Sequence, residues 1–287
     1  MAAQEQATYS TADAAVAALV DAVRSTDVTQ AVVRVLGPDG AQIADSGDPV
    51  TDEKRRNRFL AAFEESHQIL QDEAGRTILH VGKDDYPFPV PLAKVNESWR
   101  WDTAAGLEEI LTRRIGENEL ATIEVMRAFV DAQNEYASRE RDGTGIQFAR
   151  RLMSREGRQD GLYWPATDGD EVSPMGPLIA KAQREGYRRI GSGSEPPNYH
   201  GYVYRMLYGQ GKNANGGARD FIVNDRMIGG FALIASPAEY GNSGVMTFIV
   251  NQDGDVYEQD LGPDTQGIAA DIKVFDPDAN WRKVVQE

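Results

Sequence analysis

Cysteine is absent from the 287-residue chain. Thiol nucleophiles, disulfides and thiolate metal sites are therefore excluded. Histidine is scarce, with only His67, His80 and His200. A three-histidine metal site would need every one of them, and none stands at a spacing such as His-x-x-x-His. Long apolar runs are missing too, since nothing approaches the ~20 residues of a membrane-spanning helix. Positive charge is in short supply: 30 Lys and Arg stand against 45 Asp and Glu, for a formal charge of −15. Such a chain repels a phosphate backbone on average, and no basic stripe with interleaved aromatics offsets this. Lys54-Arg55-Arg56 and Arg113-Arg114 lie in mixed-charge helical segments and read as solvated helix faces. Nucleic acid is not an expected partner. No signal peptide is visible, and Met1-Ala2-Ala3-Gln4-Glu5-Gln6 reads as an initiator methionine before a mature, export-processed end.

What is present is a patterned globular sequence, 41% hydrophobic, of the α+β class. Ser10 and Thr11 offer N-caps, and Val16, Leu19, Val20 and Val23 follow at helical spacing, predicting a helix over 11–24. Residues 30–36 read as a strand, turned at Pro38-Asp39-Gly40 toward a second strand over 41–44. Asp48-Pro49 and Thr51 open a helix carrying Phe59, Leu60 and Phe63, and His67 is placed on it. Residues 76–81, with His80, read as a strand, 84–91 as a proline-rich connector, and 98–102 as a short strand. A long helix is predicted over 117–139, with Leu120, Ile123, Met126, Val130 and Ala137 on one stripe, widened by Phe129 and Tyr136. Glu117 and Glu119 open it, Arg139 and Arg141 close it, and Asp142-Gly143 ends it. After a turn-rich stretch, 178–186 reads as a short helix and 191–197 as a loop or hinge.

The C-terminal third, about 199–261, reads as one antiparallel β block. Tyr202, Tyr204, Met206 and Tyr208 alternate with Val203, Arg205 and Leu207. Residues 221–223 and 228–235 read as a hairpin turned at Asn224-Asp225, and 245–250 with 256–258 as another turned at Asp253-Gly254.

No motif names a reaction. Gly191-Ser192-Gly193-Ser194 and Gly241-Asn242-Ser243-Gly244 fall short of a nucleophile elbow. His200 is a candidate general base, Ser243 a candidate nucleophile and Tyr199 their candidate companion, with nothing in the sequence joining them. The glycine-rich 209–217 stretch fails the Walker pattern, because Lys212 is not followed by Ser or Thr. Its Lys212 and Asn213, with Tyr202 and Tyr240, are candidate ligand contacts. Asn251, Asp253 and Asp255 have the 1-3-5 spacing of a calcium loop, as do Asp276, Asp278 and Asn280. The glycine expected at the sixth position is Val256 in one and Trp281 in the other, so no cofactor is expected, with calcium as the one open possibility. Tyr199, Tyr202, Tyr204, Tyr208, Trp164 and Tyr240 form either a sugar or peptide groove or a sheet face packed on the long helix, and tyrosine suits half-buried strands.

Gly47-Asp48-Pro49-Val50, Trp99-Arg100-Trp101-Asp102, Arg113-Arg114-Ile115-Gly116-Glu117-Asn118-Glu119-Leu120, Asp160-Gly161-Leu162-Tyr163-Trp164-Pro165 and Tyr240-Gly241-Asn242-Ser243-Gly244-Val245-Met246-Thr247-Phe248 resemble the DUF2950 family of bacterial proteins. The resemblance spans nearly the whole chain. It implies a periplasmic or envelope location, because members typically carry an export signal, and it brings no catalytic residues. Asn118-Glu119 before a long helix and an antiparallel sheet is similar in plan to type II secretion pseudopilins. Leu261-Gly262-Pro263-Asp264 faintly resembles the calcium-binding end of the major pseudopilin, although no hydrophobic N-terminal helix precedes this segment. The first hundred residues look like a small NTF2-like domain by pattern.

The expected architecture is an α+β lobe over 1–116, then a pseudopilin-like lobe over 117–287 with the long helix packed on the sheet. The expected function is a non-catalytic envelope protein that binds another protein or itself. The alternative is a periplasmic enzyme or small-ligand binder with a site between the lobes, around His200 and the 209–217 loop.

Overall fold

A computed structural model describes residues 6–141, 143, 145–166, 171–187 and 198–285. The predicted 191–197 loop lies outside the described residues, as does Asp142. The fold is α+β, and the chain divides into two compact units, Met1–Ile115 and Gly116–Glu287.

The first unit opens with four helices, α1 (Ala12–Arg24), α2 (Val28–Leu36), α3 (Gly40–Ala44) and α4 (Pro49–Glu65). Thr11 and Asp27 cap α1 and α2 by accepting the Ala14 and Gln30 amides. Two predicted strands, 30–36 and 41–44, are thus helical. Ala31, Val32, Val35 and Leu36 are buried, a spacing that makes one helix stripe as readily as a strand. The Asp27 cap and packing on α1 override the β preference of the valines. Pro49 follows the Asp48 cap at the start of α4.

The sheet follows: β1 (His67–Gln71), β2 (Thr77–Val81), β3 (Tyr86–Pro87), β4 (Leu92–Val95) and β5 (Ser98–Trp101), in the order β1-β2-β4-β5 with β3 also on β2. His67 therefore opens a strand and does not sit on a helix. Four helices ahead of one sheet also replace the expected helix–strand–helix–strand order behind the NTF2-like reading. The core joins Val16, Leu19, Val32 and Leu36 to Leu79, Val81, Leu92 and Trp101. Trp101 is fully buried, and its indole N–H donates to the Ala15 carbonyl at 3.2 Å.

The helix α5 runs Thr103–Tyr136 without interruption, beginning well before the predicted residue 117. Asp102 caps the early start, its Oδ1 accepting the Ala105 amide at 3.3 Å, and the Thr103 hydroxyl ties the first turn to the Leu36 carbonyl at 2.6 Å. The division between the units falls within this helix.

In the second unit α6 (Gly176–Arg184) precedes β6 (Asn198–Tyr199), β7 (Tyr202–Leu207), β8 (Gly209–Gln210), β9 (Arg219–Asp220), β10 (Ile222–Val223), β11 (Arg226–Met227), β12 (Ala232–Pro237), β13 (Met246–Asn251) and β14 (Val256–Asp260). Helix α7 (Thr265–Asp271) and β15 (Arg282–Lys283) close the chain. The main sheet is antiparallel, in the order β15-β14-β13-β12-β7-β6. Its central strand β12 is buried at every position. The Asn224-Asp225 turn is present, with φ of 49° and 60°. However, the hairpin it closes stops at Met227, and β12 pairs instead with β7 and β13. Alternation along β7 aims Tyr204 at α5, where its hydroxyl meets Thr122 at 3.3 Å. Arg205 points the other way and donates to the Ala269 and Ile272 carbonyls at the end of α7. Ile123, Met126, Phe129 and Val130 are buried on α5, and Phe129 meets Phe231 edge-on at 5.6 Å. Leu120, expected on this stripe, is 68% exposed. The positions facing the sheet there belong to Asn118 and Glu119, which bind the backbone of residues 243–246.

Candidate functional site

β7 separates two groups of candidate residues. At its start, His200 and Gly201 turn the chain from β6 with φ of 53° and 70°. Only glycine fits at 201, where a Cβ would stand 2.9 Å from Asn118 Nδ2 and from Ser243 Cβ. The turn gathers acidic and aromatic side chains. Tyr199 donates its hydroxyl to Glu185 Oε2 at 3.0 Å, and His200 Nε2 lies 3.7 Å from the same oxygen. The Tyr199 ring packs 4.1 Å from the His200 imidazole and 4.8 Å from Tyr187, centroid to centroid. Burial first, and the Glu185 carboxylate second, push the Tyr199 hydroxyl far above the ordinary tyrosine range. It is a hydrogen-bond donor and not a nucleophile at physiological pH.

Ser243 reaches the same end of β7, because Pro237 opposes Tyr202 and the following loop returns beside Gly201. The structure thus brings Ser243 next to the His200-Gly201 turn, but its hydroxyl is committed. It donates to the Glu239 carbonyl at 3.1 Å, accepts the Glu239 amide at 2.9 Å, and is fully buried. Asn118 Nδ2 holds the Ser243 carbonyl at 2.8 Å. Tyr240 donates to Asp260 at 3.2 Å.

Lys212 and Asn213 sit at the opposite end of β7. Six strand residues separate them from His200, roughly 20 Å at about 3.3 Å per residue, so the expected joining of His200 with the 209–217 loop does not occur. That loop is built as a unit: Gln210 Nε2 donates to the Asn215 and Gly217 carbonyls at 2.7 and 2.8 Å. The Asn213 amide donates to Asp276 at 2.7 Å. Tyr202 is fully buried, its hydroxyl on the Met246 carbonyl at 2.9 Å, so it faces core and not solvent. The six aromatics form no single groove, because Tyr202 and Tyr204 fill the sheet core, Tyr208 binds the Arg150 carbonyl and Trp164 the Glu171 carbonyl.

The calcium candidates are employed in turns. Asn251 is buried, and it accepts the Asp253 amide at 3.1 Å while its own amide group reaches Asp253 Oδ2. Asp255 pairs with Lys283 at 2.7 Å. Asp276 receives the Asn213 amide, and Asp278 receives the Asn280 amide at 2.9 Å. Among the described residues no group of three His, Asp or Glu side chains is arranged to hold a metal ion. In the first unit, His67 stacks on Phe63 at 3.8 Å and His80 Nδ1 lies 2.8 Å from the Asp85 carbonyl, so both serve local structure.

Three features escape sequence reasoning. Glu185 joins the His200 group, although it lies 15 residues away in sequence and no motif surrounds it. A half-open cleft of about 400 Å³ is lined by Arg127, Asp255, Val256, Lys283 and Val284. The third is a set of exposed apolar side chains on and beside the β10–β11 hairpin. The β10–β11 hairpin is buttressed by residues 146–150: Phe148 donates its amide to the Met227 carbonyl at 2.8 Å, Arg226 donates to the Ile146 carbonyl at 2.9 Å, and Arg150 grips Asp225 at 2.8 Å. Val223 opposes Arg226, which puts Ile228 on the same face as its diagonal neighbour. On and beside this hairpin Ile146, Tyr208, Val223 and Ile228 are all more than 40% exposed. No helix among the described residues is long and apolar enough to cross a membrane.

Residues 6–284 match the family described as "Protein of unknown function (DUF2950)". No curated protein and no solved structure matches the chain, so the pseudopilin likeness gains no support. A match over nearly its whole length means that this chain belongs to the DUF2950 family.

Proposed function

We propose that this protein is a non-catalytic component of the bacterial periplasm or cell envelope, with a protein-binding or assembly role. The observation that carries the reading is the exposed set Ile146, Tyr208, Val223 and Ile228 on and beside a hairpin that residues 146–150 hold by backbone hydrogen bonds and an ion pair. Exposed apolar side chains carried on one hydrogen-bonded hairpin and its flanking residues suit docking against another protein. The candidate catalytic groups argue the same way, since Ser243 is locked in its loop and Lys212 lies far from His200. A photo-activatable residue at Val223 or Ile228 in the native host should give specific adducts, and one at exposed Glu97 should not. Equal or background labelling at all three positions would remove the reading.

A second reading rests on the shared carboxylate of Glu185, which meets both Tyr199 and His200. A carboxylate, an imidazole and a phenol at one turn suit a small polar ligand in a periplasmic binder or enzyme. Following the His200 imidazole by NMR during a metabolite screen tests it. Failure of any compound to move that signal would dismiss the second reading.

A further inference from the structure

Among the described residues, β1 leaves an open edge on the sheet of the first unit. β1 is the terminal strand and pairs only with β2. The Gly82 amide donates to the Ser66 carbonyl, and the Asp72 amide to the Arg76 carbonyl. With His67 opposite Val81 and Gln71 opposite Thr77, the hydrogen-bonded positions of β1 are the even-numbered ones. The amides and carbonyls of His67, Ile69 and Gln71 therefore point away from β2.

Unpaired strand edges invite another strand, and proteins ordinarily block them with charge, brevity or a covering segment. Among the described residues, the outer edges of β5, β15 and β6 are blocked in these ways. Tyr9 covers β5 through reciprocal bonds with Trp99, at 2.8 and 2.7 Å. β15 is two residues long and both are cationic, and β6 is two residues long. β1 is five residues long, carries no charge in a chain that is 26% charged, and is exposed at four of five positions, including Leu70.

We propose that β1 pairs antiparallel with β1 of a second copy of this chain, about a twofold axis at Ile69. That register sets His67 opposite the partner's Gln71 and Ile69 opposite its equivalent, so all three outward N–H and three outward C=O groups of each copy are used. A twofold contact needs only one self-complementary surface, and this strand supplies it. Of the acidic residues flanking β1, Glu64 is paired with Arg24 at 2.7 Å, Glu65 with Lys83 at 2.5 Å and Asp72 with Arg76 at 2.7 Å within each copy. Glu73 is exposed and falls opposite the partner copy's Glu65 in this register. That pair and the net charge of −15 oppose the contact at low salt, so pairing strengthens as salt rises. The surface belongs to the first unit and is independent of the β10–β11 hairpin.

Sedimentation velocity over a concentration series, at low and high salt, tests the pairing. The weight-average mass should climb from 31.5 kDa toward twice that value, sooner at high salt. Hydrogen exchange should slow at the His67, Ile69 and Gln71 amides in step with dimer formation. Gln71→Pro removes an outward N–H at an exposed position without touching the β1–β2 ladder, and Leu70→Lys places a charge at the seam. Either should hold the protein monomeric, and a circular dichroism spectrum matching the wild type confirms the variant's fold. A constant monomer mass at every concentration would overturn the proposal. So would a dimer whose three amides exchange at the monomer rate, dimerisation by both folded variants, or protection appearing only with another protein added. None of these outcomes alters the labelling result at Val223 and Ile228.

Discussion

Arg141 lies 2.7 Å from Glu171 with its side chain almost wholly buried, and the same guanidinium donates to the Tyr136 carbonyl at the end of α5. It also lies over the rings of Tyr136 and Trp164, at 4.6 and 5.7 Å. One cation thus caps a helix, pairs with a carboxylate and contacts two aromatic faces. Arg141→Ala should destabilise the protein by about 2–3 kcal/mol, read by urea unfolding. Arg141→Lys should recover only part of that, because an ammonium lacks the planar fork.

Gly201 should tolerate no side chain. Its φ of 70° disfavours any L-residue, and a Cβ there would crowd Asn118 and Ser243. Gly201→Ala is expected to cost about 2 kcal/mol or more, from left-handed strain and contact together. Asn118→Ala in the same background should return some of the lost stability, and a thermal melt of the double variant checks this.

Stability should fall in alkali. Burial holds the Tyr199 and Tyr202 hydroxyls well above the ordinary value of 10.0. Above pH 10 the unfolded chain releases these protons while the folded chain retains them. The unfolded state then binds fewer protons, and unfolding becomes easier as pH rises. Tyr202→Phe should flatten this alkaline limb and, at neutral pH, cost about 1 kcal/mol for the lost bond to the Met246 carbonyl. Unfolding curves on either side of pH 10 decide it.

Calcium should leave the melting temperature unchanged. Asn251 and Asp253 close a hairpin, Asp255 is paired with Lys283, and Asp276 holds the Asn213 amide. An ion binding only the folded state raises the transition by mass action, so a rise of several degrees with calcium, reversed by chelator, would contradict this assignment.

Much of the local structure was legible. The Thr11 cap announced α1, and Asp253-Gly254 marked the turn between β13 and β14. Local preference and tertiary packing disagree in two segments. Val32, Val33 and Val35 have strong strand preferences, yet Asp27 and the surface of α1 make that segment a helix. The apolar run after Asn224-Asp225 looked like half of a hairpin, but β12 lies between β7 and β13. A buried central strand has no preferred neighbour written in its own residues.

The sequence by itself determined the α+β class, the absence of thiol chemistry, the turns at Asn224-Asp225 and Asp253-Gly254, and the family. These depend on composition or on contacts within a few residues. Tertiary structure alone decided that Glu185 meets Tyr199 and His200, that Lys212 sits a strand's length from them, and that β1 is left as an open edge. Each follows from strand order and register, which are set by many weak long-range apolar contacts and not by any local signal.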